Sequence, residues 1–549
     1  MELDFSGTVD RKVNENLLKT EKDSFVPQSK GPQTFIKTPS KVNKVLLLFP
    51  PAYTIKSSRD INPLPPIGIG MLASILEKKN YEVEILDCLV RGWDQEEESQ
   101  ANKDIVRVGL TNNQIREYIQ EYQPDVVGVS CMFSVQHKIY PKIFSTIKSA
   151  DPNIITVAGG AHVTVCSKEV LEDPNCDYII AGEGEESLID FLDTIQGHRS
   201  FESVDGLGWK KEDSGLILNP KLRWIEDLDS LPFPAYHLLD LEQYFGLEAS
   251  HGIRHAKEFA PIITSRGCPA KCTFCSANKM FGYKFRTRSA QNVIDELWFL
   301  KNNYGVKEIM FEDDNVTANR KHATELFQSM IDQKIDLRWD TPNGVGLWTL
   351  TNDLIDLMKE AGCVKINFPI ESGDQEVLKN IIKKPLDLKR TKGLFQHCQN
   401  IGLDYGTFLV VGMPGEKIED IWTSFKFCAE VGSYSPHTSI ATPYPGTDLY
   451  EQCKENDYFS REYALDGLFI SSFMLKTPDW SEADLRRVLL KGKFYLKFRQ
   501  IIDRPSDALK LAKNLIKQPG KVFNYIKRVS KSGSVWRNPA NSPQGSLKN

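Results

Sequence analysis

The chain has 549 residues, 41% hydrophobic and 26% charged, with a formal net charge of -5. On a prior of about 150 residues per domain the length predicts more than one domain, and the composition excludes a disordered or fibrous protein. The acidic balance argues against nucleic-acid binding by the protein as a whole. No run approaches about 18 uninterrupted apolar residues, so no membrane-spanning helix is expected.

Residues 1–40 are polar, without the apolar stretch of a secretory signal, and read as a flexible extension. Ordered structure is expected from Lys44. Val45–Phe49 is a continuous apolar run stopped by Pro50-Pro51, which suits a buried parallel strand. Helical spacing over 67–79, a strand at 83–87, a helix at 114–122 and a strand at 126–129 follow. A helix at 140–149 and strands at 154–157 and 178–180 complete the series. This alternation predicts a doubly wound sheet with its ligand site at the carboxyl ends of the strands. Those ends carry Ser130-Cys131-Met132, Gly159-Gly160-Ala161-His162 and Gly182-Glu183-Gly184-Glu185. Glycine there permits close approach of a ligand to the backbone, although an ordinary turn uses it equally well.

From 201 to 255 the periodicity breaks around Leu231-Pro232-Phe233-Pro234-Ala235-Tyr236, which reads as a linker docked between domains. A strand over 260–264 then runs into Cys268-Pro269-Ala270-Lys271-Cys272-Thr273-Phe274-Cys275, three thiols spaced C-x3-C-x2-C. Soft sulfur ligands on one short loop suit three corners of an iron–sulfur cluster and leave a fourth iron without a protein ligand. The competing use is half of a structural zinc site, which needs a fourth ligand and usually a second close pair of cysteines. No second C-x2-C follows. The other eight of the eleven cysteines (Cys88, Cys131, Cys166, Cys176, Cys363, Cys398, Cys428, Cys453) stand singly, several within apolar runs. They read as reduced, buried residues of a cytoplasmic protein.

Beyond the thiols a second series of strands and helices is expected. Arg286-Thr287-Arg288-Ser289 precedes a helix over 290–302 capped by Ser289, and the two arginines are read either as a phosphate or carboxylate contact or as a solvated basic turn. The strand 308–311 ends in Glu312-Asp313-Asp314-Asn315, a run of acids that a cationic or hydroxylated ligand would compensate. Later strand ends carry Asn343-Gly344, Glu371-Ser372-Gly373, Gly412-Met413-Pro414-Gly415-Glu416 and Thr442-Pro443-Tyr444. Basic helical stretches at 482–499 and 506–517 read either as packing elements or as a peripheral membrane contact, and 530–549 as a polar tail.

The C-x3-C-x2-C loop with Phe274 before its last thiol resembles the signature of the radical S-adenosylmethionine (SAM) family. Pro65-Pro66-Ile67-Gly68-Ile69-Gly70, Gly159-Gly160 and Gly182-Glu183-Gly184-Glu185 resemble the cobalamin-binding domain that precedes many of its members. Asp313-Asp314-Asn315, Thr341-Pro342-Asn343-Gly344 and Ile370-Glu371-Ser372-Gly373 with Lys383-Lys384-Pro385-Leu386 are similar to the branch that C-methylates phosphonate-antibiotic intermediates. The loop 50–66 holds no histidine, which places the likeness with members that bind cobalamin without a histidine ligand below cobalt; His137 and His162 read as loop or packing residues.

The resemblance implies an α/β protein: a doubly wound, Rossmann-like cobalamin-binding domain (41–200), the linker, a partial (β/α)6 radical SAM barrel (256–480) and a helical basic C-terminal region (481–549). It implies a [4Fe-4S] cluster on Cys268, Cys272 and Cys275. SAM would meet Asp313, Asp314, Asn315, Glu371, Ser372, Gly412 and Glu416, and cobalamin Ser130, Met132, Gly159, Gly160, Gly182 and Gly184. The implied chemistry is hydrogen abstraction by a 5′-deoxyadenosyl radical and methyl delivery from methylcobalamin to an sp3 carbon of a small molecule. A reductant such as flavodoxin or ferredoxin would drive it. A non-methylating cyclase or oxidoreductase and a cluster-bearing binding or electron-transfer protein are the alternatives.

Overall fold

Among the described residues ten strands build the first half of the chain: β1 Lys44–Phe49, β2 Ala52–Ile55, β3 Glu82–Asp87, β4 Glu96–Glu98, β5 Ile105–Val108, β6 Val126–Ser130, β7 Ile155–Gly159, β8 Tyr178–Ile180, β9 Leu207–Lys210 and β10 Leu216–Leu218. Seven form one sheet in the order β10-β9-β8-β7-β6-β1-β3. The pairings β3-β1, β1-β6, β6-β7 and β7-β8 are parallel. Val45, Leu46, Leu47 and Leu48 are all at most 2% exposed because helices cover both faces, which is why this strand reads as an unbroken apolar run. Strand order reverses between β1 and β6, and the loops leaving those two strands therefore diverge and open a crevice. The computed structural model describes residues 41–505 apart from 57–58, 60, 100–103, 212–214, 248–250, 253, 461–462, 464 and 466–472. The expected extension 1–40, helix 506–517 and tail 530–549 lie outside the described residues.

The stretch expected as linker contributes the antiparallel strands β9 and β10 to the first sheet before it crosses over. The crossing is docked through side chains. Tyr244, on helix Leu241–Gly246, donates to Asp87 at 2.5 Å, Arg91 pairs with Asp240 at 2.8 Å, and Tyr236 donates to Glu296 at 2.7 Å. The small sheet β2-β5-β4 was not legible in the sequence. Its outer strand is the all-acidic Glu96–Glu98, which carries no hydrophobic alternation.

The second half is an open, all-parallel sheet in sequential order: β11 Phe259–Ile262, β14 Glu308–Phe311, β15 Arg338–Thr341, β16 Cys363–Glu371, β17 Asp404–Val411 and β18 His437–Ile440. It is the expected six-stranded partial barrel. Between β11 and β14 lies a short antiparallel ribbon, β12 Ser265–Arg266 with β13 Arg286–Thr287. Helices such as Ala290–Tyr304 and Leu388–Ile401 return the chain between strands, and Ser289 caps the first of these, accepting from Asn292 N. Trp339 stacks on Phe327 and Phe368 meets Phe395 edge-on, which seals the helix-facing side of the sheet. A final helix, Glu482–Asp503, packs on Ile418–Glu430, where Gly492 lies against the Phe425 ring with no room for a side chain.

Candidate active site

The three thiols sit on a loop whose two ends are clamped by the β12–β13 ribbon. Gly267 opens it at φ 84°, and a side chain there would come within 2.6 Å of the Lys284 carbonyl oxygen, so only glycine fits. The loop is pinned in its middle. Thr273 N donates to Ile382 O at 3.0 Å, its hydroxyl to Ile381 O at 3.0 Å, and Leu449 N donates to Thr273 O at 2.8 Å. Burial pushes the Cys272 thiol up to about 12 and Cys275 up to about 11, and raises Cys268; neighbouring thiols push Cys272 and Cys275 further in the same direction. The sulfurs are therefore near neighbours. Yet no three His, Cys, Asp or Glu side chains among the described residues converge on a single-ion position. A [4Fe-4S] cluster asks for thiolates set apart, each taking a different iron.

The acids after β14 divide the work. Asp313, 2% exposed, accepts from Thr264 N at 3.0 Å, from the Thr264 hydroxyl at 2.8 Å and from the Ser265 hydroxyl. Its oxygens hold the root of the cluster loop. Asp314 is exposed at the mouth, and its charge raises Cys268 and Cys275, which places it beside the thiols. Surrounding protein, and then Asp313, push Asp314 up to about 6. Asn315 accepts from Gly346 N at 2.8 Å, while its buried Nδ2 has no hydrogen-bond partner. A free carboxylate beside the thiols, with an unpaired amide donor on the next residue, fits an amino acid headgroup, the part of SAM that chelates the open iron in the resembling family.

The next strand ends are largely committed to internal bonds. Glu371, at φ 62° and 6% exposed, pairs with Lys384 at 2.8 Å. The Ser372 hydroxyl lies 3.2 Å from that of Ser424 and accepts from Asp374 N at 3.1 Å. Gly412, at φ 80°, packs against Leu485 and Trp480, and Glu416 accepts from Gly412 N at 2.7 Å and Met413 N at 3.1 Å. Lys384 stood out in the sequence only within a stretch of family resemblance and was given no role. It is 7% exposed, 6.0 Å from the Trp348 ring, and its charge acts on Cys272 and Cys268. Its sequence signals were that resemblance and its place soon after an acidic strand end.

Burial pushes Glu416 up to about 8, and its Oε1 lacks a partner, which costs far less for a neutral acid than for an anion. The folded protein thus holds a proton that the unfolded chain releases near its ordinary value of 4.5. The resulting stability is full below that value and is lost as pH rises toward 8, by at most about 1.4 kcal/mol per pH unit. Denaturant unfolding at a series of pH values should show this decline flattened in Glu416→Gln; equal slopes in both proteins would reject the assignment.

At the first sheet, Cys131 N donates to Gly159 O at 2.7 Å and His162 N to Cys131 O at 3.0 Å, which brings the ends of β6 and β7 together. Gly160, at φ 106°, has no space for a side chain beside the Cys131 carbonyl, 2.8 Å from the position a Cβ would take. Beyond Ser130 the apolar side chains of Met132 and Phe133 are 41% and 58% exposed, and a Cβ at Gly159 would meet nothing nearer than the Ile180 carbonyl oxygen at 3.7 Å. An exposed apolar platform beside bare glycine suits the face of a large planar macrocycle such as cobalamin. His162 is buried with Nδ1 3.0 Å from the Ser134 hydroxyl, and burial pushes it down to about 4; it packs on Tyr140.

Gly182 and Gly184 meet Lys221 and Leu72, and the acids between and after them turn toward the second half. Glu183 pairs with Arg266 at 3.0 Å and Arg286 at 2.9 Å, and Glu185 with Arg266. Arg286 and Arg288 are therefore buried partners of the protein's own carboxylates, Arg288 with Glu296, and the solvated basic turn is not observed. Sequence reasoning missed the pairs to Glu183 and Glu185 because those partners lie 80 or more positions away along the chain, whereas Arg288 and Glu296 are only 8 apart.

A doubly wound domain set against an open parallel barrel, with a three-thiol loop at the barrel's mouth, defines the class as an α/β enzyme that works through bound cofactors. The chain matches the Radical SAM superfamily over residues 262–428 and the B12 binding domain over 61–192. It is 33% identical over 496 residues, 84% of this chain and 91% of the relative, to cytidylyl-2-hydroxyethylphosphonate methyltransferase of Streptomyces wedmorensis. It is 30% identical, over 76% of this chain and 84% of the relative, to an uncharacterized methyltransferase of Pyrococcus horikoshii. Its fold is shared by the radical S-adenosylmethionine methyltransferase TsrM from Kitasatospora setae (TM-score 0.61, 18% identity, 81% of this chain and 80% of that one). The cobalamin-dependent S-adenosylmethionine radical enzyme OxsB shares it too (TM-score 0.64, 14% identity, 89% and 71%). The protein belongs to the cobalamin-dependent radical SAM methyltransferases, with a [4Fe-4S] cluster, SAM and cobalamin as cofactors.

Proposed function

We propose that the protein methylates an unactivated sp3 carbon of a small anionic molecule, of the class named for its Streptomyces wedmorensis relative, a nucleotidyl-linked phosphonate. The observation that carries the reading is the three-thiol loop with Asp314 free at its open side. When bound, the cluster with SAM supplies the hydrogen-abstracting radical and cobalamin the methyl group. The chain's share is binding and orientation. Cys268, Cys272 and Cys275 hold the cluster, and Asp314 and Asn315 receive the SAM amino acid group. Asp313 fixes the loop that carries the thiols, and Ser130, Met132, Gly159 and Gly160 form the seat of cobalamin. In a reconstituted anaerobic assay with SAM labelled in its methyl group, cytidylyl-2-hydroxyethylphosphonate is the first substrate to try. The expected result is labelled product together with 5′-deoxyadenosine. Release of 5′-deoxyadenosine with only unlabelled product would overturn methyl transfer to this class.

We infer further that a flavodoxin- or ferredoxin-like donor reduces the cluster, because the thiol loop lies at the open mouth, where a one-electron carrier has access; reduction by dithionite but by neither carrier would reject this. No helix among the described residues is long and apolar enough to cross a membrane. A peripheral contact is supported by the helix Glu482–Asp503, which exposes Leu490, Phe494, Phe498, Ile501 and Ile502 with Arg487, Lys491 and Lys497 among them. Sedimentation with anionic vesicles at low salt should carry the protein down and F494S/F498S should not follow; a wild-type chain left in the supernatant rejects the contact.

A further inference from the structure

Four side chains join the halves that carry the two cofactors. Arg266 and Arg286 are register partners across the β12–β13 ribbon, and Arg266 stands two residues before Cys268. Both reach across to the turn after β8. Glu183 Oε1 accepts from Arg266 Nη1 at 3.0 Å and lies 2.9 Å from Arg286 Nη1, while Glu185 takes the other arm of Arg266. The set is electrically neutral and its side chains are between 1% and 11% exposed. The backbone joins in. Ile225 N donates to Glu183 Oε2 at 2.9 Å, and Arg286 donates to Ile225 O at 2.6 Å and Phe281 O at 2.9 Å. A second contact lies close by, where the Thr164 hydroxyl, on helix Ala161–Val165 after Gly160, meets Met280 Sδ at 3.2 Å on helix Ala277–Phe281 after Cys275.

A buried, fully paired set of charges adds little net stability over an apolar packing of the same volume. What it adds is a single permitted geometry, because a slip of one side chain leaves a neighbour's charge buried without compensation. Here that geometry ties the turn after β8 to the root of the cluster loop. Hydrogen abstraction and methyl delivery act on one substrate carbon from two cofactors, so their separation and tilt decide whether the second step follows the first.

We propose that Glu183 and Glu185 are positioning residues that fix the cobalamin seat against the cluster loop through Arg266 and Arg286, so that the two cofactors converge on one substrate. The proposal rests on the family assignment above. Its test needs no substrate. In wild-type holoenzyme, with cobalamin as cob(II)alamin and the cluster reduced, pulsed electron paramagnetic resonance should give one narrow cobalt–cluster distance. E183Q and E185Q, which keep shape and remove charge, should retain iron and cobalamin yet show a distribution at least twofold broader, and the charge-reversed pair E185R/R266E should narrow it again relative to R266E alone. Unchanged distributions in both glutamine variants would overturn the proposal. Failure of the wild type to yield either signal would instead strike the family assignment. Should E183Q not take up cofactors, amide exchange on the cofactor-free chain decides. Exchange should rise together in 182–185 and 265–287, by at least about tenfold; a rise confined to the substituted turn would overturn the lock.

Discussion

Replacing Cys268, Cys272 and Cys275 together by alanine should reduce iron from about four per chain to background. SAM cleavage should fall with it, well beyond the about 10–100-fold that loss of an outer-shell partner costs a metal site. The fold should survive, because the loop's anchors are not thiols. Thr273 pins its centre to Ile381 and Ile382, and Asp313 holds its root through Thr264 and Ser265. Single replacements should each lower iron and cleavage, since every thiolate would hold its own corner of the cluster. Iron assay, the visible absorption of the reconstituted protein and 5′-deoxyadenosine release measure the three effects. Wild-type iron and cleavage in the triple variant would remove the basis for the active site described above.

Lys384→Met should destabilise the barrel by about 3–5 kcal/mol, because it leaves Glu371 buried without its counter-charge. Burial pulls the Lys384 ammonium down, but Glu371 and Cys272 more than reverse this and hold it above its usual value. Stability from a raised lysine is fully present below its ordinary value and lost only as pH climbs through the folded one, so the pair is intact at neutral pH. The double variant Glu371→Gln/Lys384→Met should be less costly than the sum of its singles, since both changes remove one shared interaction. Denaturant unfolding of the four proteins completes the cycle. A single variant within about 1 kcal/mol of wild type would mean that the charge of Glu371 is compensated elsewhere.

How much was legible follows from the range over which each signal acts. The run Val45–Phe49 reads as a strand because its first four residues are all buried, and Cys268, Cys272 and Cys275 read as one ligand set because seven positions of chain suffice to bring them together. Ser289 reads as a cap for a similar reason, its partner Asn292 being one turn away. The acidic strand ends were correctly placed but their tasks were not. Asp313 and Asp314 are adjacent and chemically identical, yet one faces the Thr264 amide and the other the thiols, a distinction made by the direction of each side chain at the end of β14.

The sequence by itself determined the order of the two sheets, the three-thiol loop and the strand ends proposed to face the cofactors, since apolar periodicity and close ligand spacing are local properties of the chain. Only the tertiary structure decided that residues 207–218 complete the first sheet, that Lys384 pairs with Glu371, and that Glu183 is spent on Arg266 and Arg286. Each of these depends on contacts between distant segments, and a buried charge declares its partner through geometry, which spacing along a chain does not encode.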